Sequence, residues 1–360
     1  MNKKKKIIVG LSGGVDSSVT AYLLKKQGHD VLAVHMQNWE SENNDPFCSA
    51  TEDLSDAKAV CNYLGIKLIV LNFAREYWQR VFDHCLNEFN AGRTPNPDIY
   101  CNQEIKFRCL LHWVLEQDYE FLATGHYVKN LKAADGFYQL HKGDDKEKDQ
   151  SYFLYTLGQE QLSHCLFPLG DYKKSEIRQL AKETGLPTFN KKDSTGLCFI
   201  GERKFKDFLK EFLLIKPGNI VNEKETIIGQ HDGLMFYTIG QRKGLNIGGQ
   251  KNAPEEPWYV LEKNVEKNVL IVGQGHQNPK LFNTKLYCTN VTWVCRQAPT
   301  LPFSCSAKIR YRQLDQVCKI YYFKENILEV EFEEKQRAIT KGQSIVFYQG
   351  TNCLGGGIIE

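Results

Sequence analysis

Residues 10–18 read GLSGGVDSS. The apolar run before them reads as a buried strand over 7–11. The segment after them reads as a helix over 15–27, with Val15, Val19, Tyr22 and Leu23 on one face and Gly28 as its stop. Glycines in such a turn can take positive φ and let a ligand approach the main chain. The start of the following helix offers free N–H groups and partial positive charge. Strand, glycine turn and helix start together make an anion site, most naturally for phosphate. Ser12, Ser17 and Ser18 add hydroxyl donors. Asp16 has two roles open to it, capping the helix or sharing a magnesium ion. A plain capped strand–helix turn would account for a lone Gly-Gly pair, but the whole string SGGVDSS favours phosphate. It is not a Walker A loop, which needs a lysine absent here, nor a G-x-G-x-x-G dinucleotide turn.

The alternation continues through the first half of the chain. VLAVHM (31–36) and KLIVLNF (67–73) read as strands, and Leu54, Ala57, Val60, Cys61 and Leu64 mark a helix between them. Segments 75–90 and 106–116 read as helices, and FLATG (121–125) as a strand. This is the pattern of a parallel sheet covered on both faces. After about residue 205 short strands follow one another, including IIGQ, LMFYTIG, WYVLE, VLIVG, AKIRYRQ, KIYYF, LEVEF and SIVFYQG. The expected fold is α/β: a Rossmann-like domain with a parallel sheet over 1–204, followed by two small antiparallel β-barrel domains, a central β-rich one over 205–276 and a C-terminal one over 277–360.

Composition sets the outer bounds. The 360 residues are 42% hydrophobic and 25% charged, with a net charge of +3, as in a globular protein of two or three domains. That mild basicity permits a nucleic-acid partner without requiring one. No apolar run approaches membrane-spanning length, and the first residues lack the long apolar stretch of an export leader, so a cytoplasmic protein with no membrane partner is expected. No two of the 12 cysteines are spaced C-x-x-C, which argues against a zinc knuckle or an iron–sulfur cluster. Most of these thiols read as small core residues.

Two cysteines lie in unusual surroundings. Cys101 falls in GRTPNPDIYCNQEIKF (92–107), where two prolines frame Asn96 and imply a rigid loop. Cys198 falls in DSTGLCFIG (193–201), between glycines. Each alone is more readily a buried thiol, but reactive groups concentrate in such loops. Asp98, three residues before Cys101, is a general acid/base candidate, with an Asx cap on a helix starting near Asn102 as its plainer role. RKFKDFLK (203–210) reads as an amphipathic helix with Phe205, Phe208 and Leu209 inward. Its cations, with Lys106, Arg108, Gln241, Arg242, Lys243, Arg310 and Arg312, are candidates for contacting a phosphate backbone.

SGGVDSS resembles the PP-loop of the ATP pyrophosphatase superfamily, whose members split ATP to AMP and pyrophosphate and adenylate a substrate oxygen. With GRTPNPDIYCN, ATGHY (123–127), KDQSYFLYTL (148–157), DSTGLCFIGER (193–203), YTIGQRKGL (237–245), EEPWYV (255–260), RYRQ (310–313) and CLGGGIIE (353–360), the whole chain resembles the tRNA-specific 2-thiouridylase family. The resemblance implies ATP with Mg2+, and tRNA whose wobble uridine exchanges O2 for sulfur. It also implies a protein sulfur donor, a cysteine desulfurase or a relay carrier. It assigns ATP binding to Gly10, Leu11, Ser12, Gly13, Gly14, Val15, Asp16, Ser17, Met36 and Gly125. Asn96, Pro97 and Asp98 fall around the target base. Cys101 falls as nucleophile and Cys198 as persulfide carrier, the two ending as a disulfide. His126, Lys148, Asp149, Gln150, Arg310, Tyr311 and Gln343 fall on tRNA. A loop around Cys198 is then expected to close when tRNA binds. Two rivals stay open: a small-molecule synthetase that adenylates a carboxylate, and an RNA-binding protein that has kept the nucleotide fold without catalysis.

Overall fold

The computed structural model describes residues 4–39, 50–193, 209–248 and 256–360. Cys198, Phe205 and Phe208 lie outside the described residues. The first sheet uses β1 (Lys6–Gly10), β2 (Asp30–Gln37), β3 (Leu68–Asn72), β4 (Phe121–Ala123) and β7 (Cys165–Leu166). Their order is β3-β2-β1-β4-β7, and every pairing is parallel. Alternate residues of β1 explain the two-faced core. Ile7 and Val9 pack against α1 (Val15–Lys26), α2 (Ala50–Leu64) and the helix Lys174–Glu183, while Ile8 faces Phe107, Leu110 and Val114.

The chain leaves β1 toward β2 and β3 on one side and later returns to β4 on the other. The crevice at the carboxyl ends of β1 and β4 is therefore a topological switch point, where open α/β sheets take ligands. The glycine turn follows β1, and Thr124, Gly125 and His126 follow β4.

The helix read over 75–90 is continuous from 74 to 90, with a π-helical turn at Trp78–Phe82. The rigid loop expected over 92–107 is corrected. A helix starts at Pro97 and runs to Glu116, wound as a π-helix over Cys101–Leu110. Pro97 sits at a first-turn position, where its missing N–H costs nothing, so the proline read as a breaker is a helix start. Cys101 is thus a helical residue, fully buried.

A second difference concerns β5 (Val128–Lys132) and β6 (Tyr138–Lys142), an antiparallel hairpin inside the expected α/β domain. It does not join the parallel sheet. β6 pairs with the last strand of the chain, Asn352 to His141 and Cys353 to Leu140. The C-terminal strands are β12 (Phe282–Trp293), β13 (Phe303–Lys308), β14 (Gln316–Lys324), β15 (Ile327–Arg337), β16 (Ser344–Gln349) and β17 (Asn352–Ile359). They run in the order β12-β15-β14-β13-β16-β17, and β12 pairs again with β17, which closes the barrel. AKIRYRQ, read as one strand, splits at Lys308, and RYRQ lies in the β13–β14 connection.

The middle region holds β8 (Gly218–Val221), β9 (Ile227–His231), β10 (Trp258–Asn264) and β11 (Val269–Gln274), in the order β10-β11-β8-β9. It is mixed rather than antiparallel throughout, because β8 and β11 run parallel. LMFYTIG is not a strand; Leu234–Phe236 forms a 3-10 turn. No helix of the described residues is long and apolar enough to cross a membrane.

Candidate functional site

Gly13 has φ 82°, and a Cβ there would lie 2.3 Å from the carbonyl oxygen of Asp53. Only glycine fits the turn at that point. Gly14 is the N-cap of α1 and carries no side chain to satisfy the first N–H groups, which leaves them for a ligand. The Ser17 hydroxyl accepts from Ser12 N at 3.2 Å and donates to Gly14 O at 3.1 Å, while Ser18 donates to the same carbonyl at 2.8 Å. Behind the turn, His35 Nδ1 lies 2.9 Å from Leu11 O. A carbonyl only accepts, so Nδ1 carries the proton. Burial lowers the pKa of His35 and keeps it neutral. On the far side, a Cβ on Gly125 would lie 2.9 Å from the Asp16 carbonyl carbon and 3.0 Å from Ser17 N. Gly10, Leu11, Val15 and Gly125 thus frame the turn, and Met36 lies on β2 beside it.

Asp16 does not cap the helix. Its two carboxylate oxygens each accept from Lys174 Nζ at 2.7 Å, and Oδ1 also accepts from the Tyr127 hydroxyl at 2.7 Å. Lys174 is buried and also meets Asp193 at 2.9 Å, which in turn binds Lys148 at 2.8 Å and Arg178 at 2.5 Å. Burial pushes the Asp193 carboxyl up, but the hydrogen bonds and charges of Lys148 and Lys174 outweigh it and hold the group well below the usual carboxylate range. The network ties the glycine turn to the residue that opens DSTGLC. Sequence reading missed Lys174, Tyr127 and Asp193. Asp16 and Lys174 are 158 positions apart, and no local pattern announces that contact.

Asn96 caps the second site, its side chain accepting from Asp98 N at 3.2 Å. The cap expected of Asp98 is therefore made by Asn96, and the helix starts at Pro97 rather than near Asn102. Cys101, on the next turn, packs with Tyr77, Val81, Phe82 and Ile105. Met36 and Trp39 pack against the same cluster, which brings the β2 end and the thiol together. Two buried amides stand in this neighbourhood. Asn102 donates to Phe153 O at 3.1 Å but leaves its Oδ1 without a partner, and Asn38 leaves both amide atoms without one. Such groups are costly unless something completes them. Neither asparagine stands out by its sequence position; burial alone reveals them.

The Thr94 main chain is held from the far end of the protein. Thr94 N donates to Lys341 O at 2.9 Å, and Gln343 Nε2 donates to Thr94 O at 2.7 Å. The segment after Lys148 is joined to the barrel in the same way. Tyr152 OH donates to Ser344 O at 2.8 Å, and Ser151 Oγ lies 3.2 Å from Tyr348 OH.

The residues expected on tRNA do not form one patch. Gln343 touches Thr94 and so adjoins Asn96 and Pro97. His126 is buried against Phe107 and Phe167, with Nδ1 2.7 Å from Thr124 Oγ1. Burial and then the charge of Lys106 lower its pKa well below the ordinary value, so it is neutral. Asp149 is buried, accepting from Ser151 N at 3.1 Å and Ser151 Oγ at 2.9 Å, and Gln150 accepts from Tyr127 N at 3.0 Å. Tyr311 packs against Phe153, with ring centroids 4.4 Å apart and the planes tilted by 49°. Arg310 donates to Ile239 O at 3.1 Å and Ala338 O at 2.9 Å, joining the middle region to the barrel.

A switch-point anion cradle, backed by a buried ion network and set on a Rossmann-like sheet with two β-rich appendages, defines a nucleotide-binding α/β protein. Family models match in three pieces: the tRNA methyl transferase HUP domain over 5–202, the tRNA methyl transferase PRC-barrel domain over 206–274 and the aminomethyltransferase beta-barrel domain over 283–359. A protein of Francisella philomiragia named tRNA-specific 2-thiouridylase MnmA is 57% identical over 99% of both chains. One of the same name from Coxiella burnetii is 56% identical over 98% of both. The U34-tRNA thiolase NcsA of Methanococcus maripaludis shares 20% identity over 58% of this chain and 65% of its own, with a TM-score of 0.37. The chain belongs to the tRNA-specific 2-thiouridylase family.

Proposed function

We propose that this protein is an ATP-dependent tRNA-uridine 2-sulfurtransferase, acting in the cytoplasm on the wobble uridine (U34) of tRNAs of the Lys, Glu and Gln type. The observation that carries this reading is the near-full-length likeness to proteins named tRNA-specific 2-thiouridylase. The cradle of Gly10, Leu11, Ser12, Gly13, Gly14, Val15, Asp16 and Ser17 suits a triphosphate, with Met36 and Gly125 on its flanks. Mg2+ would enter with ATP, held by phosphate oxygens, and would offset the charge of the leaving pyrophosphate; Asp16 would join it only by giving up Lys174, from which both its oxygens accept.

The C2 carbonyl of uracil is a poor electrophile because oxide is a poor leaving group. In this reading O2 attacks the α-phosphorus of ATP and pyrophosphate leaves. Asp98 takes up the proton that the ring sheds. Sulfur then adds at C2, and the C2–O2 bond breaks with AMP as leaving group. The sulfur comes from a persulfide on Cys198, loaded by a cysteine desulfurase or a relay carrier, with no iron–sulfur cluster. Two orders satisfy the electron count. The terminal sulfur attacks C2 and Cys101 then closes a disulfide with Cys198, or Cys101 closes that disulfide first and frees hydrosulfide to attack C2. Either way a thiol reductant must reopen Cys101–Cys198. Asn96 and Pro97 flank the extruded base. His126, Lys148, Asp149, Gln150, Arg310, Tyr311 and Gln343 contact tRNA, or hold the segments that do.

The test mixes protein, Mg-ATP and a sulfide source with unmodified tRNA-Lys, tRNA-Glu and tRNA-Gln transcripts. The expected result is 2-thiouridine at position 34, with AMP formed only when tRNA is present. With persulfide as donor, Cys101→Ser and Cys198→Ser should each abolish thiolation. AMP without tRNA and no thiouridine would favour a small-molecule synthetase instead.

A further inference from the structure

Outside the site just described, two thiols face each other in the C-terminal barrel. Cys305 on β13 and Cys318 on β14 are direct register partners, and their sulfurs lie 3.7 Å apart. Directly opposed residues of an antiparallel pair have Cα atoms about 4.5–5.5 Å apart, inside the range a disulfide spans. Closing the gap to a bond of about 2.0 Å needs side-chain rotation rather than backbone movement. The two sulfurs differ in access. Cys318 is 2% exposed, whereas Cys305 is only partly buried. Cys318 also keeps its proton: its hydrogen bond to Cys305 and its burial both push its pKa far up. That arrangement sets an accessible attacking thiol beside a shielded resolving one.

We propose that Cys305 and Cys318 form a reversible cross-strand disulfide, a redox site separate from the sulfur-transfer cysteines. The oxidant is a low-molecular-weight disulfide of the glutathione class. The Cys305 thiolate attacks one sulfur of that disulfide, forming a mixed disulfide and releasing one thiolate. Cys318 gives its proton to the small thiolate just released and attacks Cys305 Sγ, the mixed bond breaks, and the second small thiol leaves. The protein gives up two electrons, the small disulfide takes them, and the two cysteine protons end on the two released thiols. The bond closes the connection that carries Arg310 and Tyr311 onto the barrel. Cys288, also near Cys318, is fully buried on β12 and has no exposed partner through which to react.

The test uses the full chain, equilibrated with oxidised glutathione or with dithiothreitol, alkylated and mapped by peptide mass spectrometry. The expected product is a Cys305–Cys318 cross-linked peptide that disappears on reduction and is absent from Cys305→Ser. The oxidised protein should melt about 5 °C or more above the reduced one, as expected for a short closed loop. Mapping distinguishes this bond from any made by Cys101 or Cys198, so the outcome is independent of thiolation activity. Three results would overturn the proposal: glutathione remaining on Cys305 unresolved, both thiols alkylating fully after oxidation, or Cys318 joined to Cys288. Should Cys305→Ser fail to fold, the wild-type map alone decides.

Discussion

The glycine turn at 10–18 and the cysteine helix at 97–116 are built on opposite plans. The first is local. Its glycines, its serines and the helix start that gives it positive character all fall within nine consecutive residues, and the bonds that Ser17 and Ser18 make to the turn's own main chain span five positions or fewer, with Thr188 and Lys174 only backing Ser18 and Asp16 from behind. The second is assembled from distant parts. Its entry at Thr94 is clamped by Gln343, 249 positions away, and its core is shared with Met36, Trp39 and Tyr77. A phosphate cradle needs main-chain donors at one turn, which a short string can encode. The proposed site for a base turned out of tRNA would need walls from several layers, and Gln343, Met36, Trp39 and Tyr77 come from separate parts of the chain.

That contrast predicts how each region fails. Gly13→Ala should strike hardest, because the new Cβ meets the Asp53 main chain and α1 must shift. AMP formation should fall about a hundredfold, the scale of an ångström of misplacement, with circular dichroism unchanged. Lys174→Met should come next, leaving Asp16 and Asp193 facing each other without their shared cation. Removing one partner of a buried pair costs about 3–5 kcal/mol, and the lower end applies because both carboxylates are about one-third exposed. Urea titration would measure it. Gln343→Ala should act on the assembled site alone. Losing one hydrogen bond worth about 1 kcal/mol should lower thiolation about fivefold while the KM for ATP holds. An equal loss in tRNA-independent ATP binding would erase the distinction between the regions.

A pH-dependent effect lies in the middle region. Lys263 donates to Tyr237 O at 2.9 Å, and burial lowers its pKa to about 8. The unfolded chain holds that proton up to the ordinary lysine value near 10.5, so it binds more protons than the folded chain between those values. Stability contributed at this position therefore rises with pH across that window. The difference in stability between wild type and Lys263→Met should follow that rise, as read by chemical denaturation at pH 7, 9 and 10. A flat difference would mean that Lys263 titrates normally.

The same contrast explains what the sequence disclosed. Strand, turn and helix at 7–27 were legible because periodicity and turn chemistry agree there. The barrel strands β13 to β16 were legible for the same reason, whereas β12 and the glycine-rich β17 were not read as strands. The start of the cysteine helix was not legible, because a proline flanked by Asn96 and Asp98 suits a loop and a helix start alike, and only tertiary packing decides. LMFYTIG reads as a strand by composition, yet Gly233 at φ 143° turns the chain into a 3-10 turn. The hairpin of β5 and β6 joins a barrel that begins well over a hundred residues later, which no local pattern reveals. Lys174 was hidden for a related reason. A lysine in an amphipathic helix reads as solvated until the fold lays it against Asp16.

The proposed chemistry requires that the oxygen lost from uridine leave on the nucleotide. A tRNA transcript carrying oxygen-18 at O2 of U34 would be turned over with Mg-ATP and a sulfur source, and the AMP analysed by mass spectrometry. The account predicts one oxygen-18 in the AMP phosphate for each 2-thiouridine formed. Unlabelled AMP alongside 2-thiouridine would contradict it, because activation would then not proceed through O2.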